Sequence, residues 1–74
     1  MATMSKKQIS TVGRNIKKFR ANKGLSQDKL SKKAGVAYNT VIKIESGVIQ
    51  NPTVDTASKI AKALGVSVDV LLGK

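Results

Sequence analysis

The sequence offers few side chains that could carry catalytic or metal chemistry. It contains no cysteine and no histidine, which removes disulfides, thiol chemistry, the usual zinc ligands and the commonest general base. A chain of 74 residues also has little room for a deep substrate pocket. The four carboxylates are too scattered for a metal cluster: Asp28, Glu45, Asp55 and Asp69. We therefore expect a binding domain that is not an enzyme and uses no metal or cofactor.

Basic side chains are abundant instead, and one half of the chain holds most of them. The sequence has 14 Lys and Arg against 4 Asp and Glu, a net charge of +10. Residues 1–37 contain ten of the basic residues and one acid, whereas residues 38–74 contain four and three. Such a field attracts a polyanion, either nucleic acid or an anionic membrane surface. A lysine-rich surface that is merely solvated would give the same count.

The first segment reads as a basic arm followed by a helix. Residues 1–8 are expected to form a flexible arm, and residues 9–74 a single domain. A helix is predicted over 10–22, with Gly24 ending it. Its apolar residues recur at spacings of 3, 4 and 3: Ile9, Val12, Ile16 and Phe19. No apolar run approaches the ~18 residues of a membrane span, and the start lacks the apolar segment of a signal peptide, so a cytoplasmic protein is expected.

Four more short helices are predicted, and no strand. Hydroxyl side chains suited to accept the first N–H groups stand before three of these helices, at Ser26, Thr53 and Ser67. The helices are expected over 27–34, 38–46, 54–64 and a last short turn after Ser67. Their core-facing residues are predicted to be Leu30, Ala34, Val36, Val41, Ile44, Val54, Ala57, Ile60, Ala61, Leu64, Val68, Leu71 and Leu72.

Residues 27–46 predict two helices joined by a turn too short for them to lie antiparallel. The segment begins with Gln27, has Gly35 in the turn and ends in Glu45-Ser46-Gly47. With the apolar positions between them, and with Asn51-Pro52-Thr53 and Leu64-Gly65-Val66-Ser67 downstream, these residues resemble the lambda-repressor-like (Xre) helix-turn-helix family. The resemblance covers about residues 9–73. It implies an all-α, compact bundle of five short helices and a sequence-specific DNA-binding transcriptional regulator, expected to be a repressor that binds a pseudo-palindromic operator as a homodimer.

Two residues depart from the family pattern. Ser31 stands where the family usually has a small Ala, which puts a hydroxyl where the two helices cross. Ala37 stands where the family often has a Ser or Thr cap, and the missing cap is expected to cost about 1 kcal/mol. Neither change is expected to disrupt the fold.

The resemblance implies that the first turn of the third helix enters the major groove of double-stranded DNA. Asn39 can form two hydrogen bonds with adenine, and Lys43 can donate to guanine or to a phosphate. Tyr38, through a sugar or phosphate, and Ile42, through a thymine methyl group, complete the predicted base-reading face. Phosphate contacts are expected from the start of the second helix, the loop after the third and the arm: Gln27, Ser46, Gln50, Asn51, Lys6 and Lys7.

Two further expectations concern an ion pair and a dimer surface. A carboxylate near DNA would be repelled by phosphates. In the family, the residue that matches Glu45 pairs with a basic residue of the first helix. Arg20 stands at the matching position, so a structural ion pair is predicted. The dimer surface is expected in the weakly charged half, as an apolar patch of Val66, Val68 and Val70.

Two other functions remain open at this point. The same fold could belong to an antitoxin or immunity-type protein, whose main partner is another protein and which binds DNA to control its own synthesis. A cationic peptide bound to a membrane surface would share the charge. The capping residues and the glycines that end the helices favour a packed globule over such a peptide.

Overall fold

The computed structural model describes residues 11–73, and in this range it contains five α-helices and no strand. The all-α prediction is confirmed, with helix bounds close to those expected from the sequence. Ile9 and the arm with Lys6 and Lys7 lie outside the described residues. The helices are α1 (Thr11–Asn22), α2 (Gln27–Ala34), α3 (Tyr38–Ser46), α4 (Val54–Leu64) and α5 (Val68–Leu71).

Of the four helices α2 to α5, three begin after a hydroxyl side chain and one does not. Ser26, Thr53 and Ser67 each accept a hydrogen bond from the backbone N–H three residues later, as their positions predict. At the start of α3, Ala37 has an extended backbone but no side chain that can accept such a bond. Among α2 to α5, α3 is therefore the helix whose start lacks a side-chain cap.

The turn between α2 and α3 depends on Gly35. Its φ of 71° lies in the left-handed region that glycine adopts without steric cost. The N–H groups of Gly35 and Val36 both donate to the carbonyl of Ser31, at 2.9 and 3.0 Å, which closes the end of α2. The hydroxyl of Ser31 is buried and donates to the carbonyl of Asp28 at 2.7 Å. The departure from Ala at position 31 therefore leaves no unpaired polar group at the crossing.

One apolar core joins all five helices. Burial of each large core side chain contributes about 1.5–3 kcal/mol. Most of the predicted core is confirmed, with Ala34, Val36, Val68 and Leu72 only partly buried at its edge. Seven large residues are almost completely inaccessible to solvent: Ile16, Leu30, Val41, Ile44, Ile60, Leu64 and Leu71.

The prediction for Val54 is wrong. This residue lies on the same side of α4 as Ala57 and Ala61, yet it is 80% exposed. It is the first residue of α4, and the buried part of the helix begins one turn later, at Ala57. Helical periodicity identifies the face of a helix, but it does not show whether another element covers that end of the face.

Contacts at both ends hold α1 on the bundle. Near its start, the side-chain amide of Asn15 donates to the carbonyl of Leu71 at 3.0 Å. Thr11 packs so closely on Gly73, which has a φ of +81°, that a Cβ there would lie 2.6 Å from the Thr11 methyl group. Just beyond the other end of α1, the ammonium group of Lys23 lies beside Gly65, where it complements the carbonyl end of α4.

Candidate nucleic-acid interface

The outer face of α3 carries the side chains that the sequence predicts for base reading. Val41 and Ile44 are buried against the rest of the bundle, which turns the opposite side of the helix outward. Asn39 and Lys43 are exposed on this side, and Tyr38 is 46% exposed at its start. An amide, an ammonium group and a phenol thus form one polar surface along the first two turns of α3.

The ion pair predicted between α1 and α3 is present. Nε of Arg20 donates to Oε2 of Glu45 at 2.7 Å, and Nη2 donates to Oε1 at 3.0 Å. The third nitrogen of the guanidinium group, Nη1, donates to the carbonyl of Leu25 at 2.8 Å. The Glu45 side chain is only 4% exposed and that of Arg20 16%. The carboxylate is therefore covered and neutralised beside a surface that otherwise carries basic and neutral polar groups.

Gln27 also belongs to this network, which the sequence did not predict. Its Nε2 donates to Oε1 of Glu45 at 3.0 Å. An ionised carboxylate only accepts hydrogen bonds, so the amide must turn its nitrogen toward Glu45. The second N–H of the same nitrogen remains available to a ligand. No spacing rule links positions 27 and 45, because they meet only through the crossing of α2 and α3.

An open concavity of about 320 Å³ lies between α1, the start of α2 and α3. Ile42 is only half exposed, because it lines this concavity rather than projecting freely into solvent as the sequence suggested. Lys17 of α1 also lines this concavity, although it was not among the residues predicted from the sequence to bind DNA. Its position three residues before Arg20 was the available signal, since residues i and i+3 lie on one side of a helix. The lining residues are Lys17, Arg20, Gln27, Ile42, Glu45 and Ser46.

Some hydrogen-bond donors of the loop after α3 are already used within the protein. The backbone N–H of Gly47 donates to Ile44 and that of Ile49 to Lys43, so two of its amides are already used. The hydroxyl of Ser46 donates to the carbonyl of Lys43 at 3.2 Å, so it can donate to a phosphate only by giving up this bond. The side chains predicted to bind phosphate here are exposed, at Gln50 and Asn51.

The apolar patch predicted for a dimer is smaller than expected. Val66 and Val68 are partly buried against the core, because the turn and first residue of α5 fold back onto α4. Val70 alone of the three is clearly exposed, at 45%. Two other valines that were not predicted to be exposed are also open to solvent, Val48 at 72% and Val54 at 80%.

Residues 11–73 contain neither a metal site nor a membrane-spanning helix. No group of three or more acidic, histidine or cysteine side chains in this range is arranged to hold a metal ion. No helix in the same range is long and apolar enough to cross a membrane. The candidate functional site is the polar surface of α3 with the adjoining concavity, on the evidence of the exposed side chains described above.

This arrangement of α2, turn and α3 defines a helix-turn-helix DNA-binding domain, and comparison with known families agrees. The family model described as "Helix-turn-helix" matches residues 16–71. The chain belongs to this lambda-repressor-like family, whose members are transcriptional regulators and not enzymes.

Among individual proteins, the chain is similar to the HTH-type transcriptional regulator SinR. SinR of Bacillus subtilis (strain 168) is 39% identical over 61 residues, which cover 82% of this chain and 55% of SinR. The chain thus spans about half the length of the SinR relatives it matches.

Two solved structures of SinR share the fold. One is a crystal structure of SinR, the master regulator for biofilm formation, in complex with DNA. It matches this chain with a TM-score of 0.80 and 39% identity. That match covers 82% of this chain and 97% of the SinR chain. A complex of SinR with the SinI protein has a TM-score of 0.82 and 38% identity, covering 85% of this chain and 61% of the other.

Proposed function

We propose that this chain is a sequence-specific DNA-binding transcriptional regulator that reads its operator by placing α3 in the major groove. The observation that carries the proposal is the outer face of α3. There, Asn39 and Lys43 project from a helix whose other face is buried. The similarity to SinR, which has been crystallised with DNA, supports the same function.

Each exposed side chain has a defined part in this proposal. Asn39 forms two hydrogen bonds with an adenine edge, and Lys43 donates to guanine or to a phosphate. Tyr38 contacts a sugar or phosphate at the edge of the groove, and Ile42 contacts a thymine methyl group from the rim of the concavity. Contacts to phosphates fix the register of the domain on DNA: Gln27, Ser46, Gln50, Asn51, Lys6 and Lys7.

The regulator is proposed to act as a homodimer and as a repressor. Two copies on half-sites about one helical turn apart would match a pseudo-palindromic operator. Bound dimers would exclude RNA polymerase from the promoter by occupying the same DNA, in the cytoplasm. Val70 is the proposed contact between the copies, since Val66 and Val68 are largely occupied by the core.

The experiment that tests the function is selection of bound sequences from a random DNA pool, followed by binding of Asn39→Ala. The wild-type protein should enrich a two-fold symmetric sequence. Asn39→Ala should lose about 1–3 kcal/mol at that sequence and relax the preference at one base pair. Asn22→Ala is the matched control, because Asn22 is an exposed asparagine at the end of α1 that does not line the concavity.

Two results would count against this reading of α3. If Asn39→Ala weakened the selected and the random DNA equally, Asn39 would not read a base. If no sequence were enriched by the wild-type protein, sequence-specific binding itself would be wrong.

A second candidate retains the fold but has a protein as its main partner, as in an antitoxin or immunity-type protein. The complex of SinR with SinI is the observation that favours it, because a related regulator there binds another protein. Purification of the chain from its native cells separates the two functions. Stoichiometric recovery of one small partner protein favours the second candidate, and recovery of the chain without one favours the first.

A further inference from the structure

Apart from the arm, the DNA contacts predicted from the sequence lie in α2, α3 and the loop after α3. One wall of the concavity, however, belongs to α1. Lys17 lines the concavity together with Gln27 of α2 and with Ile42 and Ser46 of α3. A helix outside the helix-turn-helix therefore adds a cation to the edge of the proposed DNA-reading surface.

The charges around the concavity leave Lys17 available for a ligand. Arg20 is paired with Glu45, and this pair removes the negative charge that would otherwise hold the lysine. Elsewhere in residues 11–73, Lys32 pairs with Asp28 and Lys59 with Asp55. Lys17 is exposed and takes part in none of these ion pairs.

The position of Lys17 relative to α3 is also fixed. Three residues further along α1, Arg20 binds α3 through two hydrogen bonds to Glu45. Two residues before Lys17, Asn15 binds the carbonyl of Leu71 in α5. The backbone that carries Lys17 thus cannot rotate about the axis of α1 without breaking contacts on both sides.

We propose that Lys17 binds a backbone phosphate of the DNA, at the mouth of the concavity, next to the free N–H of Gln27. The proposal rests on the proposed function and extends the interface from the helix-turn-helix to α1. Lys17 supplies the charge, and the Gln27 amide, turned by Glu45, supplies a directed hydrogen bond. The buried and neutralised carboxylate is what allows a phosphate to approach this side of α3.

The test compares Lys17→Ala with Lys18→Ala on the sequence selected from the random pool and on a random duplex. Lys18 is also exposed but lies about 100° further round α1 and does not line the concavity. Lys17→Ala should weaken binding to both duplexes by the same factor and reduce the slope of log affinity against log salt by about 0.9 per subunit. Lys18→Ala should leave the slope at its wild-type value, and Lys17→Arg should restore it.

A second measurement identifies the phosphate. Single phosphates of the selected duplex are replaced, one position at a time, by uncharged methylphosphonates. At one position in each half-site the replacement should weaken wild-type protein several-fold and leave Lys17→Ala unaffected. Thermal unfolding of both alanine variants should match that of the wild type, because both lysines are exposed.

The outcomes separate this proposal from the proposed function. Equal effects of Lys17→Ala and Lys18→Ala, with normal binding by the wild type, would overturn the role of Lys17 alone. Loss of affinity for the selected sequence only would mean that Lys17 reads a base, which also overturns it. Absence of salt-dependent DNA binding by the wild type would overturn the proposed function, and this inference with it.

Discussion

The two sides of the domain are stabilised in different ways. On the side of α3 that faces the proposed ligand, polar groups fix the structure: Arg20, Glu45 and Gln27 form a network between three helices. On the side of α4 and α5, the structure is stabilised by helix caps at Thr53 and Ser67 and by buried aliphatic residues. A surface that binds a polyanion must stay polar, so it cannot be made rigid by apolar packing alone.

The difference also explains where acidic groups can be tolerated. Glu45 is on the side proposed to face DNA and is buried under Arg20, whereas Asp55 is exposed on α4 and pairs with Lys59 across one helical turn. The buried pair sets the position of two helices. The exposed pair adds little stability, because water and salt screen it.

The largest expected effect on stability comes from breaking the polar network. Glu45→Ala leaves Arg20 without its carboxylate and Gln27 without its acceptor, and should lower the free energy of unfolding by about 3 kcal/mol. Asp55→Ala is the control and should change it by less than about 0.5 kcal/mol. Urea denaturation monitored by circular dichroism measures both.

A double-mutant cycle then isolates the ion pair. The combined variant with Arg20→Ala should lose clearly less stability than the two single losses added together, because each single change already breaks the same contact. Additive losses would show that Arg20 and Glu45 do not stabilise each other in solution.

The sequence predicted the helices well because their signals are local. The caps at Ser26, Thr53 and Ser67 and the apolar periodicity depend on residues within one or two turns, and they were confirmed. The Arg20–Glu45 pair was predicted only through the resemblance to a family, since no local rule brings positions 20 and 45 together.

What the sequence missed depends on how helices meet in space. Lys17 and Gln27 belong to one concavity only because α1 and α2 cross α3 at particular angles. Val54 was expected in the core and is exposed, because none of residues 11–73 covers its side chain at the start of α4. Val66 was expected in the dimer patch, and Val68 both in that patch and in the core; the short α5 packs back onto the core, and both residues are partly buried.

A smaller effect is expected from a change on the side of α4 and α5. Val70→Lys should leave the domain folded, since Val70 is 45% exposed. It should leave binding to an isolated half-site unchanged but weaken binding to the full palindrome by about 1 kcal/mol, roughly fivefold, which is the value of burying about half a valine side chain. Quantitative gel-shift titrations on the two duplexes measure this difference. Unchanged cooperativity would place the dimer contact elsewhere, and Val54→Lys would then be the next variant to compare.

The smallest effect should come from giving α3 the kind of cap that α2, α4 and α5 have. Ala37 has φ −57° and ψ 140°, close to the extended backbone of the capping residues Ser26 and Thr53, so a serine fits there without rearrangement. Its hydroxyl can accept the N–H of Thr40, which now donates to the carbonyl of Ala37, as Ser26 accepts that of Lys29. Ala37→Ser should therefore raise the free energy of unfolding by about 0.5–1 kcal/mol, and Tm by several degrees. Ser26→Ala should lower both by a similar amount. Differential scanning calorimetry could instead show no gain for Ala37→Ser but the expected loss for Ser26→Ala. The hydrogen bond from the N–H of Thr40 to the carbonyl of Ala37 would then already stabilise the start of α3. In that case the difference between the two sides of the domain would not include helix capping.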